Sequence, residues 1–258
     1  SICCIKMVKL ERMNTQNNVY HLLGSRLNML ASNGGYRASI DPVLLAASVP
    51  ADAGHSILDV GCGTGAATLC LVTRVMGIQT VGIDNQLSLV NLANKIASHN
   101  GVSSTAKFFE YDIKNPAEYQ VLDTFDHVMA NPPHLKSGSG TNSPDPLKAA
   151  ANVEGRAKLK DWVLFCLKHV IDGGTVTFIH RFDRKGELIS LIRDYGFVKV
   201  FPLWPKIQGV GAKRVIVQII KGGSLNINIT SGMVLHTSEN AYTSEALSIL
   251  RDAESLIL

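Results

Sequence analysis

From residue 56 onward, apolar runs and helically spaced apolar positions take turns along the chain. Ile57, Leu58 and Val60 flank Asp59 and predict a short buried strand; residues 79–83 predict a second that ends at Asp84. The glycine-rich turn after the first strand opens a helix expected to run to about Val75. Leu89, Val90, Ala93, Ile96 and Ala97 then recur at helical spacing until Asn100-Gly101, a left-handed stop. Strands follow at 106–111 and 126–130. Leu159, Trp162, Val163, Cys166 and Val170 mark one face of a longer helix expected to end at Gly173-Gly174. A strand at 175–180, a helix at 183–195 closed by Gly196, and a hairpin of 197–201 with 214–220 complete the pattern. The expected fold is α/β: a doubly wound, mostly parallel seven-stranded sheet with an antiparallel last hairpin.

The flanks read differently. Apolar-rich runs at 19–23 and 26–30 around Gly24-Ser25 predict a hairpin with a two-residue turn. Asp41 is expected to cap a short helix with Pro42 at its first position. The tail ends in an amphipathic helix over 243–256, with Ala246, Leu247, Ile249, Leu250 and Ala253 apolar. Three segments result: an N-terminal extension (1–50), a main domain (51–221) and a C-terminal appendage (222–258). Composition agrees with a globular chain, since 46% of the 258 residues are hydrophobic and 18% charged. Disorder, collagen and coiled coil are excluded on that balance. No apolar run is long enough to predict a membrane span. Five cysteines show no disulfide framework and no paired Cys-x-x-Cys spacing, and residues 1–6 lack a signal-peptide layout. A cytoplasmic protein with no metal site is the expectation, and the oligomeric state is not indicated.

The turn Asp59-Val60-Gly61-Cys62-Gly63-Thr64-Gly65 joins the first strand to its helix. Glycines there let a ligand lie over the carboxyl end of the strand without meeting a Cβ. Asp84, at the end of the second strand, is placed to accept hydrogen bonds from both ribose hydroxyls of an adenosine ligand. Asp112, after the third strand, could accept from the adenine amino group with Ile113 packing on the ring. The plainer alternatives are a tight turn and solvated loop aspartates. A dinucleotide site would space its glycines as Gly-x-Gly-x-x-Gly; here the third follows two residues after the second, and Asp59 precedes the first. Over roughly residues 30 to 221 the chain resembles class I S-adenosylmethionine methyltransferases, whose sheet is Rossmann-like. That resemblance implies S-adenosylmethionine as cofactor, S-adenosylhomocysteine as product, and Asp59, Gly61, Gly63, Gly65, Asp84, Asp112, Ile113 and Asn131 at its site.

Asn131-Pro132-Pro133-His134 follows the fourth strand. Two prolines stiffen the backbone, and the Asn131 side-chain oxygen with the Pro132 carbonyl can each accept one hydrogen of an exocyclic amine. That pulls the nitrogen toward tetrahedral geometry and points its lone pair at an electrophile held about 3–3.5 Å away. The tetrapeptide resembles the Asn-Pro-Pro-aromatic motif of amino-methylating enzymes, whose fourth residue stacks on the target base. Here that residue is His134, which offers a smaller ring. Packing of His134 within the loop is the alternative. The same motif resembles release-factor glutamine methyltransferases and ribosomal RNA guanine methyltransferases. Upstream, Gly34-Gly35-Tyr36-Arg37-Ala38-Ser39-Ile40-Asp41-Pro42-Val43-Leu44-Leu45-Ala46 looks like a segment of bacterial tRNA(Val) adenine-N⁶ methyltransferases, which modify the adenine beside the anticodon. It implies that Tyr36 and Arg37 line the cofactor or base site.

The net charge of +4 is unevenly spread, at +3, −4, +8 and −3 over residues 1–50, 51–135, 136–221 and 222–258. Lys136, Lys148, Arg156, Lys158 and Lys160 surround the polar loop after His134, and Trp204, Lys206, Lys213 and Arg214 lie about the last hairpin. A basic block after the amine motif suits a polyanionic acceptor such as tRNA, although each cation singly reads as solvated surface. An RNA-binding protein without catalysis and a dinucleotide oxidoreductase are the readings from other classes.

Overall fold

The computed structural model describes residues 19–31, 37–115, 123–134 and 155–258. In chain order the elements are β1 (Val19–Leu22), β2 (Leu27–Leu30), α1 (Asp41–Ser48), β3 (Ser56–Val60), α2 (Ala66–Arg74), β4 (Gln79–Asp84), α3 (Leu87–His99), β5 (Ala106–Glu110) and β6 (Phe125–Ala130). They continue as α4 (Leu159–His169), β7 (Val170–Arg181), α5 (Lys185–Ile192) between two 3₁₀ turns, β8 (Gly196–Trp204), β9 (Arg214–Lys221), β10 (Ile227–Ile229), β11 (Met233–Val234) and α6 (Ser244–Asp252).

The central sheet has the order β10-β8-β9-β7-β6-β3-β4-β5, and β11 also pairs with β8. β3, β4, β5, β6 and β7 run parallel, whereas β9 is antiparallel to both β7 and β8. The seven expected strands are all present, and two short strands from the tail extend the sheet to nine. Side chains sort strictly by the two-residue strand period. Ile57, Met129, Ile179 and Ile216 enter one core with α1, α2 and α3, while Leu58, Val60, Val128, Phe178 and Val217 enter the other with α4 and α5. Central strands covered on both faces read as unbroken apolar runs, which explains why they were visible in the sequence.

Four expectations are corrected. The N-terminal hairpin turns through four residues, because β1 and β2 pair only from Val19↔Leu30 to Leu22↔Leu27; Leu23, Gly24 and Ser25 all take positive φ. The helix α4 ends at His169 rather than at Gly173-Gly174. Those glycines sit inside β7, where the register against β6 shifts and a Cβ on Gly174 would run into the Asp126 carbonyl; the chain needs glycine there for close backbone approach. The 183–195 helix is a shorter α5 with a 3₁₀ turn at each end. Asp41 is the first residue of α1 and makes no cap hydrogen bond within it; its carboxylate is drawn instead to Arg214.

The hairpin, α1 and the tail share the first core: Tyr20, Leu27, Met29, Leu44, Leu235, Ala246, Ile249 and Leu256 are all buried in it. Arg26 donates to the Arg251 carbonyl, and Leu256 N donates to the Ala47 carbonyl. At the amino edge of the sheet, His127 Nδ1 lies 2.8 Å from Thr175 Oγ1 and its Nε2 3.0 Å from His55 Nδ1. Burial, with His55 adding to it, pushes His127 down to about 4. No helix among the described residues is long and apolar enough to cross a membrane.

Candidate active site

The carboxyl edge of the sheet gathers most of the residues with candidate chemistry. The glycine turn hangs from the end of β4: Gly61 N and Cys62 N donate to the Ile83 carbonyl at 2.8 and 2.9 Å, and Gly63 N donates to Asp84 Oδ2 at 2.9 Å. Gln86 N donates to the other Asp84 oxygen at 2.9 Å. Burial raises the Asp84 carboxyl above its ordinary range, while backbone amides of Gln86, Gly63 and Asn85 pull it back. Asp59 is buried beneath the turn and accepts from Thr68 Oγ1 at 2.6 Å, tying β3 to α2. Burial pushes Asp59 up to about 7, opposed by Thr68 and assisted by the Asp84 charge. Gly61 has φ of +73°, and a Cβ there would strike the Trp162 ring; close packing of α4 on the turn therefore requires glycine.

Beside the turn opens a cavity of about 390 Å³. Gly61 and Ile83 form its base, Asp84 and Asp112 supply carboxylates, and Ile113, Tyr111, Pro133 and Trp162 supply apolar walls. Asp112 Oδ1 accepts from Lys114 N at 2.8 Å, and its Oδ2 lies 3.6 Å from Arg156 Nη1. Lys114 Nζ in turn reaches Asp161 at 3.1 Å, which fixes the start of α4 against the Asp112 turn. Two acceptors at successive strand ends, an apolar slot between them and a glycine at its base fit an adenosine-bearing cofactor.

Asn131 leaves the end of β6 with its side-chain Oδ1 buried and without a hydrogen-bond partner among the described residues. A buried amide oxygen left in that state costs about 1–3 kcal/mol, so the position is held at a cost. Pro133 stands on the cavity wall. His134 turns inward, with only 13% of its side chain exposed: Nε2 lies 3.5 Å from Asp41 Oδ2 and Nδ1 3.3 Å from His180 Nδ1. Arg214 Nε donates to the same Asp41 oxygen at 2.9 Å. Burial alone would raise Asp41, but His134 and Arg214 outweigh it and hold the carboxyl below its ordinary range. His180 is fully buried and pushed down to about 3 by burial, with His134, Arg184 and Arg214 adding to the shift. Neutral His180 can therefore accept from or donate to His134, while its Nε2 is buried without a partner among the described residues.

The cavity wall thus brings together Gly61, Asp84, Asp112 and Ile113, with Asn131 one residue beyond β6 and Pro133 on the wall. Asp59 lies beneath the turn on Thr68, Gly63 ties the turn to Asp84, and Gly65 N donates to the Cys62 carbonyl within it. Arg37 holds its guanidinium 5.7 Å from the Tyr20 ring, on the hairpin and not on the cavity wall. Tyr36, Lys136 and Lys148 lie outside the described residues. Among the cations, Arg156 pairs with Asp112 and Arg214 with Asp41. Sequence reasoning missed Trp162, which it read as a core residue of its helix, and the neighbours Asn85 and Gln86. Their only signal was proximity to Asp84 or to the helix start.

A methyltransferase domain family model matches residues 51–194. The chain belongs to the methyltransferase domain family. A tRNA1(Val) (adenine(37)-N6)-methyltransferase of Actinobacillus pleuropneumoniae is 24% identical over 211 residues, covering 80% of this methyltransferase and 85% of the relative. One from Aeromonas hydrophila is 23% identical, covering 83% and 88%. A release factor glutamine methyltransferase of Aliivibrio fischeri is 26% identical, covering 57% of this chain and 52% of its own, so the methyltransferase spans about half of that relative. Among solved structures, a predicted O-methyltransferase from Agrobacterium tumefaciens superposes with a TM-score of 0.69 at 21% identity, covering 84% of this chain and 99% of that one. A precorrin-6y C5,15-methyltransferase from Geobacter metallireducens gives 0.52 at 9% identity, covering 75% and 94%. Those two likenesses establish the Rossmann-like methyltransferase fold.

Proposed function

We propose that this protein transfers a methyl group from S-adenosylmethionine to an exocyclic amine, that of an adenine in tRNA beside the anticodon. S-adenosylmethionine supplies an electrophilic methyl on a sulfonium and leaves as S-adenosylhomocysteine. Asp84 would hold the ribose hydroxyls, and Asp112 the adenine amino group once Arg156 gives way, with Ile113 against the ring. Asp59 acts from behind, keeping the turn and α2 in register through Thr68.

The observation that carries the reading is the buried Asn131 Oδ1, an acceptor with no donor among the described residues, beside a rigid Pro-Pro segment. An arriving amine donates one hydrogen to it and another to the Pro132 carbonyl, which localises the nitrogen lone pair. No strong base is needed, because the proton leaves after transfer. tRNA is favoured over a release factor because the tRNA-modifying relatives of Actinobacillus pleuropneumoniae and Aeromonas hydrophila align over 80% and 83% of the chain, against 57% for the release-factor enzyme of Aliivibrio fischeri. A tRNA substrate puts the protein in the cytoplasm.

Mass spectrometry of nucleosides from total tRNA, incubated with the protein and labelled cofactor, tests the acceptor; label appearing on protein alone refutes it. Asn131→Ala is expected to keep cofactor affinity by calorimetry and to reduce turnover about a hundredfold, the scale of one transition-state hydrogen bond. Equal turnover in both proteins removes the role given to that oxygen.

A further inference from the structure

β7 and β8 end, and β9 begins, on the same edge of the sheet as Asn131, since Arg181 pairs with Arg214 and Leu203 with Arg214 in the two antiparallel ladders. The connection between β8 and β9, residues 205–213, is long for a hairpin loop, which commonly has about 2–5 residues. It carries two apolar side chains on open display, Ile207 at 65% and Val210 at 59% exposure. Exposed Lys206 and Lys213 flank them. Gly209 and Gly211 within it take positive φ, at 81° and 66°. A long loop on a rigid frame is where binding surfaces are built.

The loop is joined to the candidate active site through a short chain of neighbours. Phe182 N donates to the Lys213 carbonyl at 3.1 Å. Phe182 follows β7 only two residues beyond His180, which faces His134. Its ring lies 5.7 Å from that of Trp204 and has Lys185 Nζ 4.3 Å from its centroid. Neighbouring arginines are already neutralised, Arg181 by Asp183, Arg184 by Glu187 and Arg214 by Asp41. Lys206 and Lys213 have no carboxylate partner among the described residues. Meanwhile the ring of His134, the residue that would stack on a target base by resemblance, is turned inward onto Asp41 and His180.

We propose that the 205–213 loop, with Phe182 at its root, is the surface on which the RNA flanking the target nucleotide docks, Lys206 and Lys213 taking phosphates and Ile207 and Val210 packing against an unstacked base. This rests on the reading of RNA as the acceptor. Ammonium groups spaced around apolar and aromatic faces are the chemistry that single-stranded or looped RNA recognises. A stable protein partner would ask for a larger surface, about 800 Å² on each side.

The test compares the full chain with the double variants K206E/K213E and I207S/V210S, measuring methyl transfer to tRNA and RNA binding over a range of salt. All four side chains are exposed, so unchanged urea midpoints are expected and confirm that the variants fold. Each double variant should raise KM for RNA at least tenfold while leaving cofactor affinity by calorimetry at the wild-type value. K206E/K213E should also lower the slope of log affinity against log salt by about two, one for each phosphate no longer neutralised. Wild-type KM and salt slope in the variants, alongside an active wild-type enzyme, overturn the docking surface and leave the acceptor reading standing. A wild-type protein that methylates no RNA overturns the acceptor reading itself. Loss of a protein acceptor, and not of RNA, in the variants overturns the assignment of this surface to RNA.

Discussion

The carboxylate of Asp41 accepts from Arg214, 173 residues further along the chain, and also faces His134. Local sequence reads Asp-Pro at a helix start as a cap, and nothing nearby in the chain contradicts that. The competing partner is brought in by β9, so the outcome belongs to the tertiary fold. Asp41→Asn keeps an oxygen for Arg214 but removes the charge, and should destabilise the protein by about 1–3 kcal/mol, the worth of a charged hydrogen bond. Urea unfolding reads the shift, and an unchanged midpoint means that the pair contributes nothing net. The residues most open to sequence reading were those whose role depends on their immediate neighbours, such as Gly61 in its turn and Asp84 at its strand end. His134 was legible as a member of its motif and not in its orientation, which Asp41 and His180 decide.

Central strands were legible because burial on both faces leaves an apolar run that few other elements imitate. The start of β7 was not, because a glycine pair is the same signal for a helix stop and for a strand irregularity. What distinguishes them is the Asp126 carbonyl on the neighbouring strand, against which Gly174 is pressed. Gly174→Ala forces that approach apart and should cost about 1–3 kcal/mol, as overpacking does. Thermal unfolding checks it, and a wild-type Tm would mean that β6 and β7 can part without loss. β10 and β11 were invisible for another reason: at three and two residues they are too short to show a period, and they exist only because β8 offers an edge.

For the whole molecule, buried neutral histidines make stability depend on pH. His127 is held near 4 in the folded chain and has an ordinary value of 6.5 when unfolded. Between those values the unfolded chain binds the extra proton, so stability is retained above about pH 6.5 and falls as pH drops toward 4. One pH unit within that window is worth about 1.4 kcal/mol, and His127 should remove about 2 kcal/mol between about pH 7 and 5. His127→Gln should flatten the urea midpoint over that range, and a parallel pH profile in both proteins would sink the assignment. The flanking segments, set apart in the sequence by their different patterning, close over the same face: the turn of the N-terminal hairpin rests on Arg251, a contact spanning 225 residues. During synthesis, therefore, the apolar face of α1 must wait until residues 244–256 have emerged before its last neighbours arrive. A face made early is finished late, so α1 stays open to chaperones and to misassembly over a long stretch of synthesis.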